Sequence, residues 1–282
     1  MPELPEVETV CRGLARVLKG KRILRVELRR AGMRFPFPHG FSERLAGRKI
    51  IGVTRRAKYI LVELDKDEIV LIHLGMSGRL VFSKDDGAPH AKHDHVIFHF
   101  MNGGKSLLRF NDPRRFGVCD LVTKTGLAQH KLLRHLGIEP LGPELTPAWM
   151  KQKLCGKKTT IKAALMDQRL IAGLGNIYVC EALFYAGISP KRRAGACTSK
   201  QIGKLAPAIR KVLRTAIKAG GSSLRDYVQS DGNRGLFQNH FAVYNREGKR
   251  CPGCMCDVAK TGGIKRLAQG GRSSFYCPRK QT

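Results

Sequence analysis

The sequence predicts an α+β protein: an antiparallel β-sandwich behind a leading helix, then a helical domain, then a short cysteine-bearing hairpin. Short alternating or β-branched segments fill residues 22–125, and the apolar period becomes helical from about residue 127. Four of the nine cysteines fall in the last 32 residues, a basic segment too short to form a core alone. We expect domains over residues 1–125, 126–245 and 246–282.

The leading helix is predicted over residues 3–19. Pro5 suits a first helical turn, Glu6 suits the positive end of the helix dipole, and Gly20 ends the helix. One apolar stripe follows the helical period, and its members are Leu4, Val7, Val10, Leu14, Val17 and Leu18.

Seven short strands separated by Gly, Asp, Asn and Pro follow this helix. They predict an antiparallel β-sandwich or a flattened barrel. The strands are Ile23–Leu28, Lys49–Arg55, Tyr59–Leu64, Ile69–Leu74, Arg79–Phe82, His95–Phe100 and Ser106–Phe110.

Helices are predicted in the second half, where prolines and glycines separate segments of helical period. The predicted ranges are 127–136, 147–154, 159–167, 176–186, 198–219 and 222–229. The final segment, 246–282, has nine Lys or Arg residues against two acidic ones.

The charge of the chain points to a nucleic-acid partner. Lys and Arg number 52 against 22 Asp and Glu, a net charge of +30, and such an excess attracts a polyanion. No run of 18 apolar residues predicts a membrane span, and the N-terminus lacks the pattern of a signal peptide. We therefore expect a cytoplasmic protein, which would be nucleoid-associated if its source is a bacterium.

Pro2 is the first candidate for chemistry. Removal of Met1 would expose its secondary amine, and an α-amino group has a pKa near 8, so roughly a tenth is free base at neutral pH. Such an amine can attack a sugar carbon and leave an iminium. Glu3 and Glu6 beside it could act as acid, base or electrostatic partner. Taken alone, a proline and two glutamates that merely begin a helix explain the same residues.

Further blocks along the chain carry a resemblance. The opening MPELPEVETV is followed by RRAKYILVEL, HLGMSGRL, KHDHV, NDPRRFG, GLGNIYVCEALFYAGISP, QSDGNRGLFQ and GRSSFYC. Together they resemble the formamidopyrimidine-DNA glycosylase and endonuclease VIII family, and within it the bacterial formamidopyrimidine-DNA glycosylases. The blocks span residues 1–277 in the family's order. The sister group typically begins PEGPE, whereas this chain has PELPE.

The resemblance implies a role for each matching residue. Pro2 resembles the Schiff-base nucleophile, Glu3 the general acid and base, and Glu6 a supporting acid. Lys58 resembles a lysine that contacts phosphate and assists elimination, although alone it would be interpreted as a solvated strand residue. Arg272 resembles an arginine that binds phosphate at the lesion and is linked to δ-elimination.

DNA contacts are implied in the same way. Met76, Arg114 and Phe116 resemble the side chains that fill the gap left by an everted nucleotide, which suits an apolar wedge and an arginine donor. His93, Arg114 and Lys157 match contacts to DNA. Gly173, Gly175 and Asn176 match a helix-two-turn-helix element that binds phosphate, Lys162 could join that surface, and residues 229–232 match a loop over the damaged base.

The terminal cysteines resemble the family's zinc hairpin, with one departure. Cys251, Cys254 and Cys277 match zinc ligands, but Lys280 stands where a fourth cysteine is expected. Three outcomes stay open: zinc bound with Cys256 or another fourth ligand, a metal-free hairpin held by packing, and a weakened module. A loose hairpin would misplace Arg272.

The resemblance thus implies a DNA glycosylase with AP-lyase activity that excises 8-oxoguanine and formamidopyrimidines from duplex DNA, followed by β,δ-elimination. We expect a monomer that binds one Zn²⁺ and damaged double-stranded DNA. The alternatives are an endonuclease VIII-like glycosylase for oxidised pyrimidines and a non-catalytic DNA-binding protein.

Overall fold

The structure is a computed structural model that describes residues 1–85, 87, 89–101, 104–222, 235–255 and 257–282. The chain divides into two compact units. The first comprises Met1–Arg134 and Ala219–Leu236, and the second comprises His135–Lys218 and Phe237–Thr282. The predicted domain boundaries near residues 125 and 245 stay predictions.

Among its described residues, the first unit contains two helices and two antiparallel four-stranded sheets, in the orders β1-β6-β7-β5 and β2-β3-β4-β8. The sheets are separate, which favours the predicted sandwich over a closed barrel. The elements are α1 (Leu4–Leu18), β1 (Ile23–Leu28), α2 (Phe41–Leu45), β2 (Ile50–Arg56), β3 (Tyr59–Leu64), β4 (Glu68–His73), β5 (Arg79–Lys84), β6 (Asp94–Phe100), β7 (Ser106–Asn111) and β8 (Val118–Thr123).

One apolar core joins these elements. The buried stripe of α1, represented by Val7 and Leu14, packs in the same cluster as Val96 of β6 and Ile60 of β3. Each sheet thus buries one face against the other sheet and the helix, which is how a sandwich removes apolar surface from water. This packing fixes the N-terminus of α1 against the sheets.

The second unit is mainly helical and ends in an antiparallel hairpin. The hairpin packs into a cluster with helix α5 that includes Phe184, Val243, Ile264 and Phe275. The elements are α3 (Pro147–Leu154), α4 (Ile161–Met166), α5 (Asn176–Ala186), α6 (Ser199–Lys218), α7 (Val258–Thr261), β9 (Lys265–Gln269) and β10 (Arg272–Tyr276).

The predicted α+β class is confirmed, with local corrections. The prediction of a helix over 127–136 was wrong, since only a 3₁₀ turn forms at Leu127–Gln129. Ser222 forms an isolated bridge with Leu236 instead of beginning a helix, and residues 223–229 lie outside the described chain. The strand β8 and the short helices α2 and α7 were not predicted. None of the described helices is long and apolar enough to span a membrane.

Glu181 connects helix α5 to the segment before the hairpin. Its side chain is fully buried, and its carboxylate accepts the backbone N–H groups of Ala242, Val243 and Tyr244 at 2.8–3.0 Å. Burial raises the pKa of Glu181, while these three donors oppose the shift. The carboxylate therefore satisfies three buried donors that would otherwise have no acceptor.

We expect Glu181→Gln to lower the free energy of unfolding by about 1–3 kcal/mol, because an amide NH₂ would face backbone donors. Urea unfolding followed by circular dichroism measures the change. The exposed Glu144→Gln is the matched control and should unfold like the unmodified protein. Equal stability of Glu181→Gln and the control would contradict this role.

Candidate active site and nucleic-acid interface

The N-terminus is buried at the start of α1. Pro2 and Glu3 are both buried, whereas Met1 is 50% exposed. The Glu3 N–H donates to the Glu6 carboxylate at 2.9 Å, in a capping-box arrangement. The predicted nucleophile and its neighbouring acid are thus held by the first turn of a helix.

Both carboxylate oxygens of Glu6 accept hydrogen bonds. While Oε2 accepts from Glu3, Oε1 accepts the Ser222 N–H at 2.8 Å and the Ser222 hydroxyl at 3.0 Å. Glu6 is 2% exposed, so these bonds lie away from water. The sequence suggested a supporting acid, and the structure gives Glu6 a positioning contact that spans 216 residues.

Lys58 lies in the tight turn between β2 and β3 and is 6% exposed. The interpretation as a solvated strand lysine was therefore wrong. Ala57 takes a positive φ of 53°, which the turn requires. Arg55 donates to the Ala57 carbonyl at 2.8 Å and to Glu8 of α1 at 2.9 Å. The arginine thus ties the turn that carries Lys58 to helix α1.

His73 is held neutral near this lysine. Burial, then the charges of Lys58 and Arg34, lower the pKa of His73 to about 4. Its Nδ1 accepts the Gly75 N–H at 3.0 Å, and its ring packs on Tyr59 with centroids 4.8 Å apart. The ring therefore adds no positive charge beside Lys58 at neutral pH.

Asp112 joins two loops of the first unit. Its carboxylate accepts the Ser77 hydroxyl and, at 2.7 Å, the Gly117 N–H, and Ser77 Oγ in turn accepts the Arg114 N–H at 3.2 Å. Gly75, at φ +62°, abuts Phe116 so closely that a Cβ would lie 2.5 Å from its carbonyl carbon. Asp112 is fully buried. The loops of residues 74–78 and 112–117 are therefore joined to each other.

These joined loops carry Met76, Arg114 and Phe116. Met76 and Phe116 are 41% and 44% exposed, and the Arg114 guanidinium lies 4.8 Å from the centroid of the Phe116 ring. His93 is half-buried, and its carbonyl accepts the Asp112 N–H at 3.0 Å. An exposed wedge and an arginine on a rigid support suit insertion into a base stack.

In the second unit, Asn176 begins helix α5. Its amide donates to the Ser273 carbonyl at 2.9 Å, while its Oδ1 is buried and, within the described chain, accepts no hydrogen bond. Lys157 is exposed in the turn after α3. Lys162, expected at a phosphate surface, is instead 2% exposed and donates to Ser274 Oγ at 2.6 Å.

Arg272 is exposed at the tip of the β9–β10 hairpin, after the Gly270–Gly271 turn. Three hydrogen bonds fix the strands at this tip. The Asn176 amide donates to the Ser273 carbonyl, and the Lys162 ammonium donates to Ser274 Oγ. The Gln269 amide donates to the Pro190 carbonyl at 3.1 Å. The arginine is thus positioned by contacts that do not involve the cysteines.

The three predicted thiols Cys251, Cys254 and Cys277 do come together, with Sγ atoms within 4.8 Å of one another. This spacing fits thiolates around a zinc ion. Lys280 points to Phe184, its ammonium 4.3 Å from the ring centroid. Cys256, the proposed fourth ligand, lies outside the described residues, as does the predicted loop at residues 229–232.

Comparison with known proteins agrees with this geometry. Residues 1–119 match the model of the formamidopyrimidine-DNA glycosylase N-terminal domain, and residues 136–228 match that of the formamidopyrimidine-DNA glycosylase H2TH domain. The chain belongs to the formamidopyrimidine-DNA glycosylase family. Two relatives with this name are 52% identical over 289 residues, from Rhodospirillum centenum, and 50% identical over 288 residues, from Ruegeria pomeroyi; each alignment covers 100% of both chains.

Solved structures of family members are similar as well. Lactococcus lactis Fpg in complex with DNA that contains an abasic site has a TM-score of 0.88 and 34% identity over 100% of both chains. The wild-type Lactococcus lactis protein with N7-benzyl-Fapy-dG DNA has a TM-score of 0.88 and 33% identity, again over 100% of both. The resemblance inferred from the motifs is thereby confirmed.

Some site residues were not identified from the sequence. Asp112 and Ser77 both lie inside quoted blocks, but nothing in a short motif shows that the two blocks meet. Arg55 directly precedes the Lys58 turn, yet its contact with Glu8 spans 47 residues. These supporting contacts form only when helix α1 and the two sheets of the first unit pack together.

We expect stability to rise with pH between about 4 and 6.5, in part through His73. Its pKa in the folded state lies below its unfolded value of 6.5, so the unfolded chain binds more protons in this window. The contribution reaches on the order of 2–3 kcal/mol above pH 6.5 and is lost as the pH falls. Urea unfolding at pH 4.5, 5.5 and 7 measures it.

His73→Gln should flatten this dependence, because glutamine does not titrate. The exposed His39→Gln serves as the control and should keep the slope of the unmodified protein. An unchanged slope in His73→Gln would show that other groups carry the pH dependence.

Proposed function

We propose that this chain is a bifunctional DNA glycosylase and AP lyase that excises oxidised purines, including 8-oxoguanine and formamidopyrimidines, from duplex DNA. The observation that carries the proposal is the full-length likeness to formamidopyrimidine-DNA glycosylases at 52% identity. The net charge of +30 and the Fapy-dG DNA in a solved relative support the substrate class.

Pro2 is the proposed nucleophile once Met1 is removed. Its secondary amine attacks C1′ of the damaged nucleotide while the bond from C1′ to the base breaks, and the base leaves with a proton. The amine loses its own proton, and the C1′–O4′ bond then breaks as O4′ is protonated, which opens the sugar and leaves an iminium between Pro2 and C1′. The iminium withdraws electrons, so a proton leaves C2′ and the C3′–O bond breaks in β-elimination. The position of Pro2 supports this role, because it is buried next to the buried Glu3 at the start of α1.

Glu3 is the proposed general acid and base, and Lys58 is the proposed contact to phosphate that assists elimination. Both are buried charged residues, at 5% and 6% exposure, and such residues cluster at functional sites. Arg272 is proposed to clamp phosphate and support δ-elimination, which its fixed hairpin favours.

The remaining proposed residues bind DNA. Met76 and Phe116 fill the gap left by the flipped nucleotide, and Arg114 bonds the orphaned base, as their joined exposed loops support. His93, Lys157 and Asn176 contact the backbone. The place of Asn176 in the first turn of α5 supports its role, because backbone N–H groups at a helix N-terminus bind phosphate.

Cys251, Cys254 and Cys277 are proposed to hold one Zn²⁺, with Cys256 as the fourth ligand. The converging thiols support this site, and the ion would cross-link the segment before the hairpin to its end. We also propose a cytoplasmic, nucleoid-associated location and a division of the chain into three domains.

An enzyme for oxidised pyrimidines is the second candidate. A solved relative, wild-type Lactococcus lactis Fpg, is described in complex with DNA that contains an oxidised pyrimidine, at 33% identity and a TM-score of 0.88. The PELPE opening of this chain favours purine lesions over an endonuclease VIII-like preference.

We expect borohydride to trap a covalent complex with 8-oxoguanine duplex DNA, because it reduces the iminium on Pro2. The yield of trapped complex should fall at least about a hundredfold in Pro2→Gly, because a primary amine replaces the secondary amine of the proline ring. Denaturing gels with labelled DNA measure the yield.

Pro143→Gly, in an exposed turn, is the matched control and should trap like the unmodified protein. Trapping on oxidised-pyrimidine duplex in place of 8-oxoguanine would favour the second candidate. Absence of an adduct on both substrates would leave the non-catalytic DNA-binding alternative.

The zinc proposal predicts one equivalent of zinc at the cysteine cluster of each chain. Cys256→Ser should lose zinc to a chelator about tenfold or more faster, because one thiolate ligand is removed. Atomic absorption after timed dialysis measures it, and Cys155→Ser, an exposed cysteine, is the control. Full zinc retention in Cys256→Ser would exclude Cys256 as a ligand. Lys280→Cys tests whether a cysteine at the position of the family's fourth cysteine can bind the zinc.

A further inference from the structure

A second group of metal-ligand side chains lies on the first unit, on strands β1 and β6. Arg25 pairs with His99 across the ladder, so Glu27, two residues along β1, shares a face of the sheet with His99. His90, in the segment before β6, reaches the same point. The Glu27 carboxylate lies 3.5 Å from His99 Nε2 and 3.8 Å from His90 Nε2, and the three ligand atoms lie within 4.8 Å of one another.

The His99 imidazole has a buried nitrogen without a hydrogen bond. His99 is 6% exposed, and within the described chain its Nε2 has no hydrogen-bond partner. The 3.5 Å separation from Glu27 exceeds the 2.7–3.2 Å of an ordinary N–H···O bond. Buried polar atoms of this kind cost free energy unless a ligand satisfies them.

The groups around His99 suit a bound cation. An imidazole binds a metal through the lone pair of a ring nitrogen, and the Nε2 of His99 lies 3.5 Å from the Glu27 carboxylate. Glu27 supplies the negative charge that a dication needs.

We propose that Glu27, His90 and His99 form a binding site for one divalent transition-metal ion, with zinc as the preferred ion. The separations of 3.5 and 3.8 Å are close to the roughly 3.3 Å between ligands of a tetrahedral zinc with bonds of about 2.0–2.1 Å. Two imidazoles and one carboxylate suit zinc over magnesium or calcium, which prefer oxygen. A water would take the fourth position.

Two arginines compete with the ion for Glu27. Arg25 and Arg29 lie 3.6 and 3.9 Å from its carboxylate, but their side chains are 58% and 34% exposed and can turn to solvent. Binding would tie the segment of His90 to the sheet three residues before His93. The site lies on the first unit and is independent of the proposed glycosylase activity.

Zinc titration of the full-length protein without a histidine tag tests the proposal. The protein is first loaded with zinc and dialysed, so that the cysteine cluster is filled, and calorimetry then follows further binding. We expect one additional equivalent, and a dissociation constant raised about tenfold or more in His90→Ala and in Glu27→Gln. His39→Ala is the exposed control and should bind like the unmodified protein.

Cobalt gives a second readout. Its visible bands at this site should appear without the thiolate charge-transfer absorption that cysteine ligands produce, and should vanish in His90→Ala. Equal thermal unfolding of His90→Ala and the unmodified protein in chelator would show that the fold is retained. No additional equivalent in the unmodified protein, or identical binding by His90→Ala, would overturn the proposal.

Discussion

The carboxylate of Glu6 is the contact on which the proposed catalytic end of the molecule depends. One oxygen fixes the backbone of Glu3 at the start of α1, and the other fixes Ser222 on a distant part of the chain. Because Glu6 is buried, these charge-assisted bonds are not weakened by competition with water. A nucleophile at a chain terminus would otherwise fray, and here the first helical turn is held from two directions.

A second buried carboxylate organises the proposed DNA wedge. Asp112 accepts hydrogen bonds from two loops at once, so the exposed Met76, Arg114 and Phe116 stand on a support that buried hydrogen bonds hold together. Exposed apolar side chains gain fewer packing contacts on folding than core residues do, and a rigid base lets them keep one geometry.

The hairpin that carries Arg272 is held by apolar packing, and by hydrogen bonds that do not involve the cysteines. Apolar packing of Phe275 and Ile264, together with the bonds of Lys162 and Asn176 to Ser274 and Ser273, fixes the strands. The three thiols would add a metal cross-link at the other end. The replacement of an expected cysteine by Lys280 is therefore compatible with a well-positioned arginine, and the lysine finds an aromatic partner in Phe184.

The amino-acid sequence alone determined the α+β class, most of the strands, the leading helix, the family resemblance and the candidate residues, because periodicity and short motifs are local. Tertiary structure decided what those residues do in space. The burial of Lys58, the inward turn of Lys162, the bridge from Glu6 to Ser222 and the meeting of Glu27, His90 and His99 all depend on contacts between segments far apart in the chain. Such contacts leave no local period or spacing, since folding and not sequence distance brings their partners together.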